Sequence, residues 1–138
     1  MMKHYKDFYK FQAATLAMVD GKGVNLSKPR DNAEKIVKCV CDSESSVIVF
    51  PELALTGSTC GDFLFDAAYL DELNAATKTV CDGLTKTHGK VVVFGLPFAY
   101  ADRLYNAALV VYEGTVQGVV LKSEISSSLT INEQRYFS

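Results

Sequence analysis

Val47-Ile48-Val49-Phe50 is an unbroken run of β-branched and aromatic residues, the pattern of a short strand buried on both faces. Pro51 follows it and, having no N–H to donate, ends its ladder. Val91 to Leu96 repeats the fully apolar pattern. Tyr105 to Tyr112 and Val116 to Leu121 add two more strands, joined by Glu113-Gly114-Thr115, which is short enough for a hairpin loop. Near the start, Phe8 to Leu16 mixes aromatic and small apolar residues and is expected as an edge or first strand.

Between the strands the period lengthens. Ala33, Ile36, Val37 and Val40 recur at helical spacing. Asp31 followed by Glu34 has capping-box spacing at the start of this stripe, so the Asp31 carboxylate is expected to accept a first-turn N–H. Leu70, Leu73, Thr77, Val80, Cys81 and Leu84 give a second helix its inner face, starting near Phe63 or Asp66 and running towards Thr87. Gly83 weakens that helix and Gly89 is its expected stop. Gly21, Gly23, Asn25 and Ser27 mark Asp20 to Pro29 as a loop, and Gly57 and Gly61 mark the segment after Pro51 as another. The order β, α, β, α, β, then a hairpin, predicts an α/β protein with a mixed sheet.

Composition narrows the function classes. A chain of 138 residues is enough for one domain with a real core. Hydrophobic residues at 49% and charged residues at 22% fit a soluble globular protein rather than a disordered one. A net charge of -2 offers no footprint for nucleic acid or an anionic membrane. Lys3, Lys6 and Lys10 alternate with aromatics and precede no long apolar segment, which argues against a signal peptide. No apolar run is long enough to span a bilayer. The four cysteines, Cys39, Cys41, Cys60 and Cys81, are expected as reduced thiols in a cytoplasmic protein. Cys39 and Cys41 are too closely spaced for a zinc-knuckle pair, and His4 and His88 have no ligand cluster beside them, so no metal site is expected.

Open α/β sheets place ligands beyond the carboxyl ends of their strands. Glu52 follows the Val47–Phe50 strand by one proline, and Lys122 directly follows the Val116–Leu121 strand. If those strands are parallel neighbours, carboxylate and ammonium meet at one edge. By spacing alone, each reads equally well as a solvated strand-end charge.

The local words carry more. Phe50-Pro51-Glu52-Leu53-Ala54-Leu55-Thr56-Gly57, with Cys60-Gly61-Asp62 close behind, resembles the first catalytic motif of the nitrilase superfamily of carbon-nitrogen hydrolases. More narrowly, it is similar to the N-terminal glutaminase domain of glutamine-dependent NAD synthetases. Val93-Phe94-Gly95-Leu96-Pro97, Leu104-Tyr105-Asn106-Ala107, Gly118 to Ser123 and Glu133-Gln134-Arg135-Tyr136-Phe137 follow in the same order. The resemblance runs from about Phe8 onward.

That resemblance implies roles. Glu52 would be the general base that takes a proton from a cysteine thiol. Lys122 would stabilise the oxyanion, and Glu133 matches a second, supporting glutamate. The set is chemically coherent, because a thiol at neutral pH needs a base and a developing oxyanion needs fixed positive charge. The family nucleophile lies downstream of the lysine motif, whereas all four cysteines lie upstream of Lys122. Cys60 is read as a small buried or loop cysteine, and Cys39, Cys41 and Cys81 as packed helix residues. The nucleophile is therefore expected to be none within this chain, which is expected to be inactive alone. It reads as an N-terminal fragment of an ammonia-supplying domain, with glutamine or another small amide as substrate. No cofactor is expected in this chain; ATP and magnesium would belong to the synthetase domain of the complete family protein.

Two departures stand out. Ser58 occupies a place where the family usually has an aromatic, and Glu124, Ile125 and the run Ser126-Ser127-Ser128 replace a tyrosine-containing stretch. They leave open another carbon-nitrogen hydrolase, acting on a different amide or nitrile, or a non-catalytic interaction domain derived from an amidase. The implied fold is the nitrilase-type α-β-β-α sandwich, with 1–138 a partial amidase domain supplying about the first half. Open strand edges and uncovered apolar faces would then favour a homo-oligomer, other self-association, or a loosely packed monomer.

Overall fold

The computed structural model describes residues 10–17, 21–126 and 132–138. Five strands form one mixed sheet in chain order: β1 (Phe11–Ala13), β2 (Val47–Val49), β3 (Val91–Tyr100), β4 (Arg103–Tyr112) and β5 (Thr115–Leu121). The first three run parallel, and parallel neighbours need a long crossover. The crossovers contain α1 (Pro29–Asp42) and α2 (Ala67–Leu84). The last two strands add antiparallel hairpins. Both hairpin turns place two successive residues at positive φ, Ala101 and Asp102 in one and Glu113 and Gly114 in the other, which matches the right-handed twist of the strands. Thr115, expected in the second loop, already pairs with Tyr112 as the first residue of β5.

The helices pack together and against one face of the sheet. Ile48, Val92, Phe94, Leu109 and Val111 meet Ile36 and Val40 of α1 and Leu73, Ala76, Val80 and Leu84 of α2 in a single core. Gly83 is a packing residue: a Cβ there would lie 2.6 Å from Val37 Cγ2, so its absence lets the helices approach closely. The start of α1 differs from the capping box expected at Asp31. The helix begins at Pro29 with no side-chain cap, because a proline at the first position has its φ preset and no N–H to satisfy. Asp31 instead accepts a hydrogen bond from Asn25 Nδ2. The start of α2 is as read, with Asp66 accepting from Ala68 N–H, but a 3₁₀ turn (Gly61–Phe65) precedes it and it ends at Leu84, short of Thr87. Of the helix cysteines, Cys39 is buried and Cys81 half-buried, whereas Cys41 is exposed.

The opposite face of the sheet is also apolar. Val49, Val93, Val110 and Val120 alternate onto it, and Val49 is 44% and Val120 62% exposed. The expectation that the Val47–Phe50 strand is buried on both faces therefore holds for one face only. Ile48 is fully enclosed by the helical layer, and no second layer covers Val49 among the described residues.

Candidate functional site

Glu52 is positioned by a turn that leaves β2 and lies down on β3. Phe50 N–H donates to Val93 O at 2.8 Å, Gly95 N–H to Pro51 O at 3.3 Å, and Leu55 N–H to Gly95 O at 3.1 Å. Leu53 adopts a left-handed backbone at φ 51 to make this turn. Such a conformation costs a non-glycine residue about 1–2 kcal/mol. Asn32, fully buried on α1, ties the far side of the turn by donating to Leu55 O at 2.9 Å.

Lys122 is the residue after β5, and its N–H donates to Asn106 O at 2.8 Å. β2 and β5 are not neighbours; β3 and β4 lie between them. They do run in the same direction, and both are shorter than β3 and β4, so the Glu52 turn lies over Gly95 in the middle of β3 and reaches Asn106 on β4. Carboxylate and ammonium meet there, although not by direct strand adjacency. Glu133 arrives from a 3₁₀ turn (Glu133–Arg135) and is 5% exposed. Its segment is fixed by Ser138 N–H on Leu104 O at 2.9 Å and by its own N–H on Ser126 O at 3.2 Å. Ser127 and Ser128, which complete the serine run, lie outside the described residues.

All three side chains converge. Lys122 Nζ lies 2.7 Å from Glu52 Oε1, 2.8 Å from Glu133 Oε2 and 3.1 Å from Glu133 Oε1. Ser126 N–H donates to Glu133 Oε2 at 2.8 Å. Asn106, a polar residue otherwise enclosed in β4, donates its amide to Glu52 Oε1 at 2.7 Å and Glu133 Oε1 at 3.3 Å. Asn106 belongs to the Leu104-Tyr105-Asn106-Ala107 motif, and nothing in the sequence marks it as a partner of the two carboxylates. Its signal was a single amide beside the apolar stretch Ala107 to Val111.

The electrostatics follow from this packing. Hydrogen bonds to Glu133 and then Glu52 raise the Lys122 ammonium above its ordinary pKa, so it stays charged. Burial pushes the Glu133 carboxyl up, but hydrogen bonds from Lys122 and Ser126, with the lysine's charge and Asn106, outweigh it and hold the carboxyl low. The cluster carries two carboxylates and one ammonium. Such an arrangement keeps one carboxylate buried and paired while leaving Glu52, half exposed, with free lone pairs for a proton.

A cavity of about 340 Å³ opens beside Glu133, lined also by Ser58, Thr59, Cys60, Arg135 and Tyr136. Cys60 is almost fully buried, and burial pushes its thiol up, against a hydrogen bond with Thr56. A raised, enclosed thiol is poorly suited to attack. Behind the cavity, Arg135 pairs with Asp62 at 3.2 Å and Tyr136 donates to the same carboxylate at 2.9 Å.

Fold and site together are a mixed α/β sheet that holds one lysine between two carboxylates beyond the ends of β2 and β5. The family model described as carbon-nitrogen hydrolase matches residues 13–136, and the chain belongs to that family. The glutamine-dependent NAD(+) synthetase of Aquifex aeolicus is 34% identical over 108 residues, which is 77% of this chain and 19% of the relative. That of Mycobacterium tuberculosis is 31% identical over 115 residues, 80% of this chain and 16% of the relative. The chain thus spans about a fifth of the length of such relatives. The glutamine-dependent NAD+ synthetase structure from Acinetobacter baumannii superposes with a TM-score of 0.71 at 26% identity, over 82% of this chain and 22% of the other. An amidase from Nesterenkonia sp. AN1 shares the fold, with a TM-score of 0.69 at 16% identity over 83% of this chain and 44% of its own. A glutamate-to-leucine mutant of that amidase shows the acetamide moiety of fluoroacetamide added covalently at its active site cysteine.

Proposed function

We propose that this chain supplies the carboxylate–lysine part of an amide-hydrolysing site, the glutaminase site of a glutamine-dependent NAD synthetase, and that its reaction releases ammonia for NAD formation in the complete protein. The observation that carries this reading is the convergence of Glu52, Lys122 and Glu133 on one ammonium at the strand ends. Glu52 is the general base: it is the exposed member of the pair and keeps an oxygen, Oε2, outside the lysine contact. Lys122 stabilises the oxyanion of the tetrahedral intermediate. Its longest contact, 3.1 Å from Nζ to Glu133 Oε1, is the one most easily exchanged for substrate. Glu133 keeps that lysine charged and in place.

The nucleophilic thiol is assigned to none of Cys39, Cys41, Cys60 and Cys81. The enclosed, raised thiol of Cys60 supports that assignment. ATP and magnesium belong, on this reading, to a separate synthetase domain and are assigned no residue here. The unpaired cysteines fit a cytoplasmic setting. No helix among the described residues is long and apolar enough to cross a membrane. The uncovered valine face of the sheet supports association of the chain with itself.

Exchanging residues 13–136 into the Aquifex aeolicus relative tests the reading. The chimera is expected to release ammonia from glutamine, and Glu52→Gln to lower that rate by roughly 10²–10⁴-fold without moving the thermal melt. A folded chimera indifferent to Glu52→Gln would overturn the reading in favour of a non-catalytic interaction domain. Ser58 lines the cavity where a bulkier wall is expected. It favours a second reading, hydrolysis of a different small amide or nitrile, which a substrate panel on the same chimera separates.

A further inference from the structure

Asn106 touches every member of the charged cluster. We propose that it is a positioning residue, holding Glu52 and Glu133 on one shared ammonium. Its amide NH₂ donates to Glu52 Oε1 at 2.7 Å and to Glu133 Oε1 at 3.3 Å, two oxygens that Lys122 also reaches. Its main-chain oxygen accepts the Lys122 N–H at 2.8 Å. One residue of β4 thereby fixes the base, the supporting glutamate and the lysine backbone together.

The choice of an amide has a physical reason. Ionised carboxylates only accept, so two of them facing one another need donors between them. Lys122 contributes one positive charge against two negative ones. A second lysine or arginine would neutralise the remaining charge and compete for the proton-accepting oxygen of Glu52. A hydroxyl would supply one donor where two acceptors wait. The planar amide gives two N–H donors in a fixed fork and leaves the net charge of the cluster unchanged. Asn106 is 2% exposed, so water does not substitute readily for it.

Among the residues that line the cavity beside Glu133, the titratable ones are Cys60, Arg135 and Tyr136. None of them is hydrogen-bonded to the Asn106 amide among the described contacts. The inference concerns the site assigned to amide hydrolysis and rests on that reading for its use, but its test needs no substrate, so either can fail without the other.

The test is a pH titration of the unsubstituted chain and of variants by NMR, with ¹³C-labelled glutamate carboxyls and Glu133→Gln to assign the Glu133 signal. In the unsubstituted chain the Asn106 side-chain NH₂ signals are expected to move through the same midpoint as the Glu133 carboxyl. Stationary amide signals overturn the proposal whatever the variants do. In Asn106→Leu the Glu133 midpoint is expected to rise, since a donor that holds the carboxyl low is removed. Asn106→Ser, which keeps one donor in a smaller side chain, should give a smaller rise and decides the matter if the leucine variant does not fold. A folded variant whose Glu133 curve superposes on the parent reduces Asn106 to a packing residue.

Discussion

Gly95 lies directly beneath Glu52: a Cβ built on Gly95 would sit 2.8 Å from both the Cα and the carbonyl carbon of Glu52. The Glu52 turn can rest on β3 only because this position has no side chain. Gly95→Ala should therefore lift the turn and draw Glu52 away from Lys122, at a cost of about 1–3 kcal/mol. Gly118→Ala on β5 is the matched control, since a Cβ there meets open space, and its effect should stay within about 0.5 kcal/mol. Urea denaturation of the two variants checks this, and equal stabilities would show that the Gly95 contact relaxes without cost.

Lys122 separates a structural role from a chemical one. Lys122→Met leaves Glu133, nearly enclosed, without its cation and should destabilise the fold by about 1–3 kcal/mol. Glu52→Gln breaks the half-exposed side of the same lysine and should change stability little, because exposed ion pairs contribute little. Combining Lys122→Met with Glu133→Gln removes both ends of the enclosed pair and should cost less than the sum of the single changes. Equal losses for Lys122→Met and Glu52→Gln would contradict this division.

The same pair sets a pH window. Glu133 has its folded pKa lowered below the ordinary 4.5, so its stabilisation is present above that value and lost as pH falls through the folded pKa. Lys122 has its folded pKa raised above 10.5, so its stabilisation is complete below 10.5 and lost as pH rises through the higher value. Glu113, held low by the Gly89 N–H, adds to the acid limb. Melting temperature should hold level above the acid limb until pH passes the ordinary thiol value of 9.0, where the buried Cys60, its folded pKa raised, begins to favour the unfolded chain ahead of the lysine limb. Glu133→Gln should flatten the acid limb. An acid limb unchanged by Glu133→Gln would place the sensitivity in other carboxylates.

Much of this was legible because local patterns are read one element at a time. The β-branched runs at Val47 and Val91 and the apolar stripe from Leu70 to Leu84 became strands and a helix. The words around Glu52, Lys122 and Glu133 were sufficient to select the three side chains that meet. What escaped depends on contacts between elements. Gly83 looks like a flaw in a helix until Val37 is placed against it. Ala101-Asp102 carries no glycine, so its tight turn leaves no mark in the sequence; β3 runs on past the expected Leu96 to Tyr100, and β4 starts at Arg103 ahead of the expected Tyr105. Asn106 became visible as a partner only when β4 brought it under two carboxylates. Burial of β2 on both faces was inferred from composition, which reports what a strand tolerates rather than what covers it.

The uncovered face has the last measurable consequence. Val49, Val93, Val110 and Val120 form one apolar surface on the side of the sheet away from the helices, and among the described residues β5 is an open edge beside it. Contiguous apolar surface of this kind favours association, and an unpaired edge strand gives it a direction. Light scattering at micromolar concentration should show species larger than the 15.1 kDa chain. Val120→Lys places a charge at the β5 margin of that surface, at a position already 62% exposed. It should shift the population towards monomer while leaving the helical core, and hence the melting temperature, nearly unchanged. If the unsubstituted chain is instead a compact monomer with a sharp cooperative melt, the face is satisfied within one molecule and self-association is excluded.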